Sequence, residues 1–132
     1  MYKRMLLCVS EATPKEVVQV AIKLCSKNTR VYVLHVVHLL KNFTRRDAME
    51  KFSWVLESLK KAGLKSQMEI LESTDVGKAI ISFAKEISCD VIVTGTIPRK
   101  RLLGVLAENV STYLVKNAPS AVVLVRRAGE IV

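Results

Sequence analysis

Strand-like and helix-like segments alternate along the whole 132-residue chain, and this alternation limits the fold more than any other feature. Four segments are short runs of apolar residues, as expected of strands buried on both faces, and they cover residues 4–10, 30–38, 90–94 and 121–126. A fifth segment, 66–71, alternates polar and apolar residues, which is typical of a half-exposed edge strand. Strands separated by helices run parallel and are joined by right-handed crossovers. We therefore predict an α/β fold: a single domain over residues 1–132, with an open parallel five-stranded sheet and helices on both faces.

Four helices are predicted between these strands. The first begins at Thr13-Pro14, where threonine supplies an N-cap and proline occupies the first turn. A long second helix covers about 43–62 and ends before Gly63, a residue typical of C-caps. Thr74-Asp75 caps the third helix, and the fourth covers about 103–116.

Composition limits the classes of function. Half of the residues are hydrophobic and a quarter are charged, as in globular proteins, and the apolar runs are too short to span a bilayer. Three cysteines without CxxC spacing indicate packing in a reducing compartment, and we predict a cytoplasmic protein. The net charge of +9 favours anionic partners, either a small molecule or an acidic protein. No basic strand with interleaved aromatic residues accompanies the charge, so we do not expect nucleic-acid binding.

The segment 91–110 has the layout of a phosphate-binding turn. A strand leads into Gly95, a basic loop contains Arg99 and Arg101, and Gly104 opens a helix. Glycine lets the backbone approach an anion, and a helix start offers free N–H groups. In open parallel sheets the ligand crevice lies beyond the carboxyl ends of the strands, here at 10–13 and 94–97 if strands 1 and 4 are neighbours.

No set of catalytic or metal-binding residues is evident. His35 and His38 are three apart on a strand, so their side chains point to opposite faces and cannot share a metal ion. We expect His35 to be packed. His38 is the better functional candidate, because it ends the second strand near the presumed crevice.

The chain resembles the universal stress protein family over essentially its full length. The segments that carry the resemblance are Tyr2–Leu7, Leu34–Val37, Cys89–Gly95, Leu103–Val110 and Ala118–Val125. The resemblance implies a Rossmann-like sheet with strand order 3-2-1-4-5, in which strands 1 and 4 flank the crevice.

Some members of that family bind ATP, and they carry the motif G-x2-G-x9-G-[S/T] after strand 4. Gly95 matches the first glycine of the motif and Gly104 matches the third, but only eight residues separate them here, where the motif places twelve. Pro98 stands in place of the second glycine and offers no N–H, and Val105 stands in place of the hydroxyl residue.

The family's adenine site is also altered. Ser10 replaces the aspartate that ends strand 1 in ATP-binding members, whereas Val36 suits a position that packs on adenine. The resemblance thus implies ligand-binding positions that are only partly equipped, at Ser10, Val36, Gly95, Thr96, Arg99, Arg101, Gly104 and Val105.

Three functions follow as hypotheses. The first is a non-catalytic regulatory or binding protein of the universal stress type, without a cofactor and without strong ATP binding. The second is a module for ATP or another nucleotide with slow hydrolysis, which would use Gly95, Thr96, Gly104 and the basic loop. The third is an accessory protein that binds an acidic protein partner through its positive charge.

The last strand predicts self-association. In the order 3-2-1-4-5 it is an edge strand, and a long apolar edge favours pairing with another strand. Members of the family dimerise by laying these strands antiparallel across a two-fold axis. The resemblance therefore implies a symmetric homodimer through Ala121, Val122, Val123, Leu124 and Val125.

Overall fold

A computed structural model describes residues 2–38, 44–95 and 106–126 of the protein. Its five strands form one parallel sheet of order β3-β2-β1-β4-β5. The strands are β1 (Arg4–Cys8), β2 (Arg30–Val37), β3 (Lys65–Glu72), β4 (Val91–Gly95) and β5 (Ala121–Val125). The predicted fold class and strand order are confirmed.

The described helices cover both faces of the sheet. They are α1 (Lys15–Leu24), α2 (Thr44–Lys51), α3 (Ser53–Lys61), α4 (Val76–Glu86) and α5 (Leu106–Asn117). Alternating side chains of β1 divide the core: Met5 and Leu7 pack with α1, α2 and α3, whereas Leu6 and Cys8 pack with α4 and α5. Each face thus has its own apolar cluster, with the sheet between them.

The prediction of one long second helix is wrong, because the helix is interrupted at Phe52. This residue has φ −102° and ψ 10°, and it separates α2 from α3. The Ser53 hydroxyl donates to the Glu50 carbonyl oxygen at 2.9 Å, a side-chain bond that competes with the backbone pattern. The Phe52 side chain is 3% exposed and packs on the His35 ring, so the interruption places an aromatic ring in the core.

The ends of the other elements follow local chemistry. Gly63 has a φ of +79°, which supports its predicted role as the C-cap position after α3. The Asp75 carboxylate accepts a hydrogen bond from Lys78 N at 3.1 Å and caps α4, as predicted. Asp90, which precedes β4, accepts bonds from the backbone N–H groups of Lys3 and Arg4 at 2.8 and 3.1 Å. These two bonds fix the start of β1 against β4.

No helix among the described residues is long and apolar enough to cross a membrane.

Candidate functional site

A cleft of about 230 Å³ opens at the carboxyl ends of β1, β2 and β4. The winding of the sheet reverses between β1 and β4, so the chain leaves these two strands in opposite directions. The turn before α1, the first turns of α4 and residues Val110 and Ser111 of α5 complete the described walls. The described lining consists of Cys8, Val9, Ser10, Ala12, Thr13, Pro14, Leu34, His35, Val36, Val76, Ile80, Thr94, Gly95, Val110 and Ser111.

The turn between β1 and α1 forms one rim of the cleft and is held by hydroxyl groups. Ser10 N donates to Thr13 Oγ1 at 2.8 Å, and Ala12 N donates to Ser10 Oγ at 3.3 Å. Thr13 N closes the turn on the Ser10 carbonyl oxygen at 3.0 Å. The prediction that Thr13 caps α1 is therefore wrong. Pro14 occupies the N-cap position without a side-chain bond, and the Thr13 hydroxyl stabilises the turn instead.

His35 lines the cleft and anchors the end of β1. Its Nδ1 lies 2.9 Å from the Val9 carbonyl oxygen, and its ring packs on Phe52 with a centroid distance of 4.7 Å. A carbonyl oxygen can only accept a hydrogen bond, so Nδ1 carries a hydrogen and donates it to Val9. His38, which we expected to be the better candidate, is exposed and does not line the cleft.

The interior wall of the cleft is apolar. Val36 comes from β2, Val76 and Ile80 from α4, and Val110 from α5. The described lining contains no Asp, Glu, Lys or Arg, although the whole chain carries a net charge of +9. The polar groups on the described walls are hydroxyls, an imidazole, a thiol and backbone groups. Such a surface suits an uncharged ring with a few hydrogen-bonding atoms.

The Cys8 thiol on the cleft wall is not activated as a nucleophile. Burial raises the pKa of Cys8 to about 12, with a smaller contribution from the charge of Cys89, so Cys8 stays protonated at neutral pH. Within the described ranges, no group of three or more His, Cys, Asp and Glu residues is placed to hold a metal ion.

An ion pair lies beside the turn between β1 and α1 that forms the rim of the cleft. Lys51, the last residue of α2, pairs with Glu11 in the turn after β1. The hydrogen bond and the charge of Lys51 lower the pKa of the Glu11 carboxyl. Both side chains are well exposed, so solvent screens the pair and it contributes little to stability.

The sequence as a whole settles the family. The sequence model of the universal stress protein family matches residues 1–126, almost the entire chain. The chain belongs to the universal stress protein family. This confirms the resemblance that the motifs predicted. No curated protein sequence matches this universal stress protein.

Solved structures agree with the fold of this family member. The hypothetical protein MJ0577 superposes with a TM-score of 0.82 at 20% identity, over 96% of this chain and 97% of that one. The universal stress protein from Archaeoglobus fulgidus in complex with dAMP gives a TM-score of 0.73 at 20% identity, over 93% and 97% of the two chains. A family protein from Arabidopsis thaliana with AMP bound gives 0.69 at 20% identity, over 95% and 92%.

The residues singled out from the sequence of this universal stress protein divide into two groups. The fold brings Ser10, Val36 and Gly95 to the same cleft. Thr96, Arg99, Arg101, Gly104 and Val105 lie outside the described residues. His35 is a cleft residue that sequence reasoning missed. Its position directly before Val36, near the carboxyl end of β2, was the signal that could have found it.

Gly95 is explained by packing. A Cβ atom built on Gly95 would lie 3.2 Å from Val17 Cγ2, on the side of the sheet that α1 covers. A side chain at this position would press on Val17, which would have to shift by a few tenths of an ångström, so glycine eases the close approach of α1 to the end of β4. Glycine at this position is therefore accounted for without a phosphate.

Proposed function

We propose that this universal stress protein is a non-catalytic binding protein whose cleft holds the nucleoside part of a small nucleotide. The observation that carries the proposal is the apolar cleft at the ends of β1, β2 and β4, rimmed by uncharged polar groups. A base and a sugar are flat or compact groups of this polarity. Two proteins of the same fold were solved with dAMP and with AMP, which supports a ligand of this size.

The same proposal includes weak binding of ATP. A triphosphate needs several N–H groups, hydroxyls or cations, and the described lining offers no cation. In the segment after β4, Pro98 offers no N–H, and only eight residues separate Gly95 from Gly104. Each lost hydrogen bond to a charged group is worth about 1.5–3 kcal/mol, so the loss of two weakens binding by about a hundredfold or more.

Titration calorimetry with adenosine, AMP, cyclic AMP and ATP tests this function. We expect adenosine and AMP to bind with dissociation constants below about 1 mM, a free energy near −4 kcal/mol. ATP should bind no more tightly than AMP. A dissociation constant for ATP well below that for AMP would refute the weak-ATP part. An absence of heat with all four ligands would refute the function itself.

A matched pair of variants places the ligand. Val36→Phe puts a ring into the cleft, whereas Val115→Phe makes the same change on α5, where the side chain is 59% exposed. We expect the first change to lower affinity at least about tenfold and the second to leave it unchanged. Equal effects of the two variants would show that the ligand binds elsewhere. Slow ATP hydrolysis and an acidic protein partner stay predictions from the sequence.

We also propose that the protein forms a homodimer through β5. This strand pairs with β4 and ends the sheet, and its middle residues are half-buried in the single chain. Among the described residues, Leu124 belongs to neither core cluster, and a partner strand would cover its half-buried side chain. Light scattering after gel filtration should give the dimer mass. Leu124→Glu should give the monomer mass and Val115→Glu the dimer mass, whereas a monomeric wild-type protein would contradict the proposal.

A further inference from the structure

The two hydroxyl groups on the rim of the cleft use their oxygen atoms, but not their hydrogens, in hydrogen bonds to the described residues. Ser10 Oγ and Thr13 Oγ1 each accept a hydrogen bond from a backbone N–H of the turn, at 3.3 and 2.8 Å. Among the described residues, neither hydroxyl donates its own hydrogen to a protein acceptor. Both side chains line the cleft. The rim therefore presents two O–H donors, whereas half of the acceptor capacity of the two oxygens is already used.

A ligand that covers this rim must satisfy those two hydrogens. A hydroxyl hydrogen that is shielded from water and left without an acceptor costs binding affinity. The described lining offers no carboxylate, which would favour an amino group on the ligand. The complementary group is a carbonyl oxygen, whose two lone pairs can accept from two donors at once.

We propose that the Ser10–Thr13 rim selects the carbonyl edge of a base, so that the cleft prefers a 6-oxopurine such as hypoxanthine or guanine to adenine. The inference rests on the proposed function, since it names the class of base that the same cleft holds. A 6-oxopurine presents an acceptor oxygen where adenine presents an amino donor. Opposite the amino group of adenine, each hydroxyl can accept with its remaining lone pair, but that group cannot accept the hydroxyl hydrogen, which then has only a neighbouring ring nitrogen as a partner.

The test compares two neutral nucleosides that differ in the base at this edge. Titration calorimetry is carried out on the full chain with inosine and with adenosine, at neutral pH and at two ionic strengths. We expect inosine to bind about five- to tenfold more tightly, as one additional neutral hydrogen bond gives. The ratio should not change with salt, because neither ligand carries a charge and the described lining contains no Asp, Glu, Lys or Arg.

The outcomes separate the inference from the function on which it rests. Adenosine that binds as tightly as inosine, or more tightly, overturns the selectivity and leaves the nucleoside-binding function intact. Nucleosides that do not bind at all overturn both. A preference for inosine that disappears at high salt also overturns the inference, because it would indicate recognition by charge.

Variants of Ser10 assign the preference to the rim. Ser10→Ala removes one donor, and the affinity ratio of inosine to adenosine should fall toward one. Ser10→Asp replaces the donor by a carboxylate that only accepts, so the ratio should fall below one in favour of the amino base. Ser82→Ala, an exposed serine on α4 outside the cleft, should keep the wild-type ratio. A wild-type ratio in both Ser10 variants would overturn the assignment.

Discussion

Thr29 should be among the most sensitive polar positions of this protein. It is 1% exposed, and its Oγ1 donates to the Tyr2 carbonyl oxygen at 2.7 Å. Thr29 Oγ1 also accepts a hydrogen bond from Ser26 N at 2.9 Å, and it lies 3.3 Å from Ser26 Oγ. Since the single hydrogen of Thr29 is used on Tyr2, the Ser26 hydroxyl is the donor in that contact. One side chain thus joins the turn before β2 to the segment before β1.

Replacement of Thr29 by valine keeps the shape and removes the hydrogen bonds. Each bond contributes about 0.5–1.5 kcal/mol, and a buried partner left unsatisfied adds about 1–3 kcal/mol. We expect Thr29→Val to lower the free energy of unfolding by about 2–4 kcal/mol, a large share of the 5–15 kcal/mol of a typical domain. Thr29→Ser keeps the hydroxyl and loses one methyl group, at a cost of about 1 kcal/mol.

Urea unfolding followed by far-ultraviolet circular dichroism measures both changes. Since m-values of small domains in urea are about 1–3 kcal/mol/M, the valine variant should unfold about 1–2 M earlier than the wild type with an unchanged slope. The serine variant should lie between the two. If Thr29→Val is as stable as Thr29→Ser, the loss of the hydroxyl costs no more stability than the loss of one methyl group, and the reasoning is wrong.

Three further predictions concern other contacts. Asp90→Ala removes two bonds to backbone N–H groups at the start of β1 and should lower stability by about 2 kcal/mol in urea unfolding, with Asp90→Asn between it and the wild type. Gly77→Ala places a Cβ 2.9 Å from Cδ1 of Tyr113, so it should lower stability by about 1–3 kcal/mol despite the higher helix propensity of alanine, and Tyr113→Ala should relieve most of that loss. Burial raises the pKa of Cys8 to about 12, so its thiol should resist iodoacetamide in the folded protein at pH 8 and react after denaturation, as mass spectrometry of the peptides would show. Because that pKa is raised above the unfolded value of 9.0, the stability associated with the protonated thiol should be complete below pH 9 and decline as the pH rises further.

The architecture of the protein was readable from the sequence because its signals are redundant. The four apolar runs and the alternating segment 66–71 each predict a strand, the last of which is observed as β3, and the resemblance to the family implies their order. The location of the cleft followed as well, because the carboxyl ends of parallel strands meet at one edge of the sheet. Ser10, Val36 and Gly95 accordingly lie together.

The details of the site depend on choices that differ by about 1 kcal/mol, and local sequence does not decide them. A threonine before a proline can cap a helix or close the preceding turn, and Thr13 closes the turn. A helical pattern over about 43–62 does not reveal that Phe52 leaves the helix geometry and packs on His35. The first outcome is a competition between two local hydrogen-bonding arrangements, because Thr13 bonds to Ser10 three residues away. The second depends on a tertiary contact with His35, which is distant in sequence.

The two halves of the family's nucleotide motif carry independent physical information. Glycine at the end of β4 is favoured by the close approach of Val17, so its presence is not by itself evidence for a phosphate. The hydroxyls of Ser10 and Thr13 and the apolar wall that includes Val36 owe nothing to that glycine. A chain can therefore lose the phosphate half of the motif and keep the half that holds a base. The short spacing between Gly95 and Gly104 then argues against ATP as the ligand but not against the nucleoside that we propose, and the proposed selectivity for the base rests on the hydrogen-bonding groups of the rim.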